Sequence, residues 1–453
     1  MDGSTQMVGK AHPASHSREA EPLRDPLPLE LHVPSPPHRP GQSPHPAEFD
    51  SQPGDLPRPD TLAPHDELRT HAHELIRTLG DDDIAAGPWQ PRLSSHHLKS
   101  GLEMMMRARN LDSRMIAMQR QGRLSFYVTS RGEEASAVAG AMAFASHDIL
   151  YPSYRQAGLF LSRGMPALSI MCQCIGNRFD NAKGRQMPVH YSWRAGNVVS
   201  ISSPVGTQWP QAVGSAMAFA YRGERKVVGA WAGDGTSAQG DFHYALNFAS
   251  VYRPPCVLHV VDNQWAISTH RNLATGGSTF AARADAYHLP GLRVDGNDFL
   301  AVCAVGQWAV ERARRGGGPT LIELVTYRCD AHSTSDDPDQ YRAQGGAECW
   351  PGGDPIDRLK RHLIHLGEWN EAAHRDLNSA LEQETAAAFA QAESYGSLAN
   401  GHGHAPGALF DDVYVSLPEH LREQRAEMRA QSDAAEVEKA NRPYEDRDHR
   451  AVG

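Results

Sequence analysis

Hydrophobic positions along this chain follow two periods in alternation. Short runs rich in Val, Ile, Leu and aromatic residues read as strands: DILYPS (148–153), NVVSISS (197–203), KVVGAWAG (226–233), PCVLHVVDN (255–263) and GPTLIELVTYR (318–328). Between them LSIMCQCIG (168–176), QAVGSAMAFAYR (211–222) and FHYALNFASVYR (242–253) carry helical spacing. Strand-helix alternation of this kind predicts the α/β class, with a mainly parallel sheet flanked by helices. In such sheets ligands gather at the carboxyl ends of the strands.

The flanks read differently. Residues 1–65 are crowded with Pro, His, Ser and Gly and show almost no apolar period, so they bury too little to offset the entropy of ordering. They are expected to form a flexible or draped arm. Helical spacing begins at ELRTHAHELIRTL (67–79) and continues through LKSGLEMMMRARNLDSRMIAMQRQG (98–122), a helical lead-in over 66–122 to an α/β domain spanning 66–350. Its methionines read as core packing, since thioethers fill irregular gaps. Residues 351–453 are charged and predicted helical, a C-terminal appendage.

Composition removes several function classes. At 453 residues with a formal charge of -10 and interspersed signs, the chain gives no reason to expect a nucleic-acid partner. Apolar runs such as 256–261 fall well short of the roughly 18 residues that span a membrane. The first residues lack an apolar signal core, and their acids argue against a mitochondrial presequence, which points to a bacterial cytoplasm. Six cysteines without a CxxC pair read as reduced, buried thiols.

The chemistry concentrates in KVVGAWAGDGTSAQGDFHYALNFASVYRPPCVLHVVDNQWAIST, a strand, a Gly-rich turn, a helix and a second strand. Gly233-x-Gly235-x-x-Ala238 fits a dinucleotide fingerprint, and Asp262 ends the next strand where a ribose-binding acid would lie. A nicotinamide oxidoreductase is therefore a competing reading. Asp234 argues against it, because a carboxylate about 4 Å from a phosphate costs about 4 kcal/mol per pair of unit charges at an effective dielectric near 20. A divalent cation between acid and phosphate removes the conflict, since magnesium joins one or two carboxylates to phosphate oxygens. Asn263 offers a second oxygen from the neighbouring strand end, and the glycines let backbone approach closely.

GDG followed after about 26 residues by Asp262-Asn263 resembles the thiamine diphosphate motif. The segments at 120–135, 151–158, 184–192, 201–214, 280–298 and 327–342 are similar to those of alpha subunits of branched-chain 2-oxoacid dehydrogenases; the likeness covers most of 65–430. It implies the thiamine diphosphate-binding fold. It also implies that Asp234, Asn263 and the Trp265 backbone carbonyl hold magnesium, with Gly233, Gly235, Thr236, Ser203 and Val205 beside the cofactor. Asp262 departs from the family's usual Asn-Asn pair.

By the same resemblance Tyr154 and Arg155 bind diphosphate, for which a guanidinium is suited. Ser202, Pro204, Thr207 and Gln208 match a potassium site; on residue type alone they would be an ordinary helix cap. His332 stands in a loop that contacts the diphosphate and is the candidate catalytic residue. Phe126, Tyr127 and Ser203 are candidate substrate-pocket residues. Ser333 corresponds to a position phosphorylated in animal relatives, where added negative charge would repel the diphosphate.

No motif supplies the carboxylate that activates the aminopyrimidine ring. The resemblance assigns it to a beta subunit in an α2β2 heterotetramer, so this chain alone should be inactive. The implied reaction is decarboxylation of a 2-oxoacid such as 3-methyl-2-oxobutanoate, with acyl transfer to lipoyl groups of an acyltransferase core. Pyruvate and acetoin dehydrogenase alpha subunits share the GDG motif and remain alternatives.

Overall fold

The computed structural model describes residues 31–44, 48–397 and 406–441. The chain divides into a leading unit, Met1–Ser35, of which only 31–35 are described, and one large unit, Pro36–Gly453. Residues 1–30, and with them much of the expected arm, lie outside the described residues.

Six strands of the large unit form one sheet. They are β1 (Leu75–Ile76), β2 (Ile149–Tyr151), β3 (Val228–Gly233), β4 (Cys256–Asp262), β7 (Gly291–Asp295) and β8 (Thr320–Val325), in the order β1-β7-β8-β4-β3-β2. Every pairing is parallel. A two-stranded hairpin, β5 (Trp265–Ala266) and β6 (Thr269–His270), follows β4.

Both faces of the sheet are covered, which is why the strands read as nearly continuous apolar runs. Val228, Ala230 and Ala232 of β3 and Cys256, Leu258 and Val260 of β4 pack with the helices Gln208–Tyr221 and Gly240–Tyr252. Trp231, Val257 and Val261 face the other way, into a larger core with the helices Ser95–Arg120, Glu134–Met142 and Phe299–Arg314. The methionines Met105, Met106, Met115 and Met118 are buried there as packing. Among the described residues no helix is long and apolar enough to cross a membrane.

Three local expectations change. The stretch 67–79 is helical only at its start; Leu75 and Ile76 instead pair with Arg293 and Val294 as an edge strand, a long-range partner that outweighs local period. NVVSISS forms only bridges, Val198 pairing with Leu150 and with Trp193. Residues 48–64, assigned above to the arm, are draped rather than free. Trp89 and Trp308 donate their ring N–H to the carbonyls of Pro57 and Pro59, Arg312 donates to those of Thr61 and Ala63, and Leu56 is buried.

The C-terminal helices Pro355–His365 and Glu371–Ser394 bury Leu359, Leu363, Leu381 and Phe389 in the larger core. The C-terminal region is thus helical, and these two helices pack on that core.

Candidate active site

The carboxyl ends of β2, β3, β4 and β8 meet at one cavity of about 390 Å³. The register of β3 on β4, from Val228 opposite Cys256 to Gly233 opposite Val261, brings the residues after both strands to one edge. Asp234, Gly235 and Thr236 therefore share the cavity with Asn263 and Trp265. Tyr154 and Arg155 arrive from the end of β2, and His332 from the loop after β8. Ser203, Val205 and Phe126 complete the set of expected lining residues. A smaller adjoining cavity of about 40 Å³ is lined by Ser202, Gln208 and Gly233, with Arg155, Thr236 and Asn263 shared between the two.

Tyr127 does not join them. It is 0% exposed, and its hydroxyl donates to Asp112 Oδ1 at 2.8 Å on the far side of the segment. An extended chain alternates its side chains, so Phe126 and Val128 face the cavity while Tyr127 faces the core.

Asp234 is 2% exposed. Its Oδ1 accepts from the Gly235 amide at 2.8 Å, while Oδ2 is buried with no hydrogen-bond partner. Burial pushes its carboxyl up to about 6, against the pull of the Gly235 amide, Arg328, Arg271 and Arg155. A Cβ on Gly235 would come 2.7 Å from the Ala266 Cβ, so only glycine fits beside the hairpin.

An orphaned buried carboxylate oxygen beside an amide is what a hard divalent cation completes. Among the described residues no group of three or more His, Cys, Asp or Glu forms a cage. A magnesium ion that also binds diphosphate needs only one or two carboxylates, so the donors fit. The Trp265 carbonyl, expected as the third ligand, accepts from Arg328 Nη1 at 3.0 Å and keeps one lone pair.

Asp262 turns away from the cavity. It is fully buried, with Oδ2 3.1 Å from Arg271 Nε and Oδ1 accepting from Gln264. Burial raises its carboxyl well above the usual range; Arg271 opposes and Glu323 reinforces this. The departure from asparagine thus has its own counterion.

Arg155 ties the anion end together. Its Nη1 donates to the Thr129 carbonyl at 2.7 Å, and Nη2 donates to the His332 carbonyl at 3.1 Å and Nδ1 at 3.2 Å. A guanidinium has no acceptor, so Nδ1 is unprotonated and the ring proton sits on Nε2. Burial first, then Arg155 and Arg328, lower the imidazole to about 4. The loop is held by Asp336, which accepts from the His332 amide at 2.7 Å and from Tyr341 at 2.6 Å, and by Thr334, which exchanges hydrogen bonds with Tyr127.

In the loop before Gln208, Thr207 Oγ1 lies 2.6 Å from Ser202 Oγ and 3.1 Å from the Pro204 carbonyl. Thr207 stands at the helix N-cap yet makes no capping bond, and Gln208 Oε1 is buried without a partner. The simple cap reading fails, and the crowded oxygens fit a monovalent cation.

Sequence reasoning missed Glu133, Arg328, Asp336 and Tyr341, and the apolar wall of Met187, Val189, Ala266 and Ile267. Val189 (φ 65°) and Ile267 (φ 54°) hold β-branched side chains in left-handed backbone, strain of about 1–3 kcal/mol each that clusters at functional sites. Only adjacency to the motifs could have flagged them.

The fold is that of an α/β protein with a cavity at the carboxyl edge of a parallel sheet, where ligands of such sheets bind. Residues 102–400 match the family described as Dehydrogenase E1 component. The 2-oxoisovalerate dehydrogenase subunit alpha of Pseudomonas aeruginosa is 48% identical over 408 residues, 90% of this chain and 100% of that protein. The 3-methyl-2-oxobutanoate dehydrogenase subunit alpha of Mycobacterium tuberculosis is 38% identical over 367 residues, 79% of this chain and 94% of that one. The human mitochondrial 2-oxoisovalerate dehydrogenase subunit alpha is 38% identical over 336 residues, 74% of each. The chain belongs to the dehydrogenase E1 component family.

Proposed function

We propose that this chain is the alpha subunit of a branched-chain 2-oxoacid dehydrogenase. With a beta subunit it carries out oxidative decarboxylation of 3-methyl-2-oxobutanoate and its relatives, and acyl transfer to lipoyl groups of an acyltransferase core. The observation that carries the reading is Asp234, whose Oδ2 is buried and unpartnered and which lines the same cavity as Asn263, Arg155 and His332. The relatives' names supply the substrate class.

Thiamine diphosphate, when bound, supplies the electron sink for loss of carbon dioxide. Asp234 and Asn263 would hold its magnesium, and Arg155 would meet its phosphate oxygens. His332, neutral near pH 7 with its proton on Nε2, offers a hydrogen-bond donor to the cavity beside Arg155. Phe126, Val128, Met187, Val189 and Ile267 make an apolar wall suited to a branched aliphatic side chain. A potassium ion would tie Ser202, Pro204 and Thr207 ahead of the helix Gln208–Tyr221.

Asp234 is the one acid lining the larger cavity, and the magnesium uses it. By this chain's likeness to other alpha subunits, the carboxylate that activates the cofactor is assigned to the beta subunit. Tyr244, Phe248, Val251 and Tyr252 on one helix, with Tyr221 on its neighbour, are exposed large apolar side chains, a surface suited to cover by that subunit.

Reconstitution with the cognate beta subunit tests the assignment. Decarboxylation of 3-methyl-2-oxobutanoate should exceed that of pyruvate, and this chain alone should be inactive. Faster turnover of pyruvate would refute the substrate assignment, and NAD binding without magnesium-dependent thiamine diphosphate binding would refute the cofactor.

A further inference from the structure

One buried carboxylate beside the site has no role in the reading above. Glu133 is 1% exposed and occupies the N-cap position of the helix Glu134–Met142, yet its side chain makes no capping bond. A carboxylate at that position ordinarily serves the helix amides. Its neighbour Glu134 is accounted for, accepting from Arg109 Nε and from the Gly132 amide. Glu133 instead turns into the small cavity, where Oε1 accepts from Asn263 Nδ2 at 2.7 Å and lies 3.5 Å from Arg155 Nε.

A side-chain amide can sit in two orientations that exchange its oxygen and nitrogen, and only the oxygen can serve a cation. We infer that Glu133 is a positioning residue that sets the Asn263 amide with its oxygen available to the divalent cation. Ionised beside Arg155, the carboxylate accepts and does not donate, so in that state it admits only Nδ2 at that contact, and a flipped amide would set oxygen against oxygen. On the other side the Trp265 amide donates to Asn263 Oδ1 at 3.2 Å, which selects the same orientation. The oxygen that fixes Asn263 also attracts Arg155, which grips His332. Glu133 thus links the cation end of the cavity to its anion end. Groups that orient ligands from behind are commonly worth about 10–100-fold in metal affinity.

The inference rests on the magnesium-thiamine diphosphate reading, and its test separates the two. Magnesium is titrated by calorimetry into the complex reconstituted with the beta subunit and saturated with thiamine diphosphate. Glu133→Met should weaken magnesium binding by about 10–100-fold. Glu133→Gln keeps an acceptor for Asn263 Nδ2 and should stay closest to wild type. In an Asn263→Asp background the ligand no longer needs orienting and is repelled by Glu133. There Glu133→Gln should tighten magnesium binding, a gain not expected of the same substitution beside Asn263 and one that a merely structural role would not produce.

Melting of the metal-free complexes checks assembly; if Glu133→Met does not assemble, the glutamine variant in the two backgrounds decides. Wild-type affinity in Glu133→Met, or weakening by Glu133→Gln in both backgrounds, overturns the inference alone. A wild-type complex that binds no magnesium with thiamine diphosphate overturns the underlying reading and this inference with it.

Discussion

Asp234→Asn should stabilise the protein without metal and remove the stabilisation that metal brings. Burial raises the Asp234 carboxyl from its ordinary 3.8 to about 6, which corresponds to about 3 kcal/mol of unfavourable burial of the charged form. The folded state therefore holds this proton more tightly than the unfolded chain. The penalty is absent below about 3.8, grows as pH rises, and is complete above about 6. Asparagine keeps an oxygen for the Gly235 amide and carries no charge to bury. Urea unfolding of the metal-free complex at about pH 8 should show a gain approaching 3 kcal/mol, and at about pH 5 a smaller one. Magnesium and thiamine diphosphate at about 100 times their dissociation constant should add about 2.7 kcal/mol to the wild type and far less to the variant. A variant that is less stable without metal, and equally stabilised by magnesium and cofactor, would refute the reasoning.

Arg155→Met removes the donors to Thr129 and His332 and strands Glu133, so it should destabilise by about 3–5 kcal/mol. It should also let the His332 imidazole rise part of the way from about 4, since burial remains, and carbon-13 NMR of the ring would show an unchanged titration if the argument is wrong. In the wild type, stability from this group is lost as pH falls from about 6.5 through about 4; in the variant the loss should start at the same pH, end at a higher one and be smaller. Phe126→Ala enlarges the cavity and should alter the preference among branched 2-oxoacids. Tyr127→Phe should cost about 0.5–1.5 kcal/mol of stability with preference unchanged; the opposite pattern would return Tyr127 to the pocket. Thr207→Val should abolish any rise in melting temperature that potassium gives over sodium.

Much of the cavity's lining was named before the fold. Asp234 and Asn263 stand at the ends of apolar runs joined by one helix, and a parallel crossover places such ends side by side; the register of β3 on β4 does so here. Arg155 and His332 could be named as candidates by resemblance, but their mutual hydrogen bond could not. Glu133 gave no signal, because a glutamate in RGEEA is soluble and ordinary until the sheet buries it against Asn263.

Local periodicity and residue chemistry, both properties of neighbours in the chain, were enough to determine the α/β alternation, the Gly-rich turn and the presence of an acid within that turn. Tertiary structure decided what depends on distant partners. Leu75 became a strand because Arg293 lay opposite it, Tyr127 turned inward because Asp112 was buried behind it, and Glu133 entered the site because a helix start met the end of β4. Such contacts join residues 15 to 218 positions apart, a separation over which no local pattern carries information.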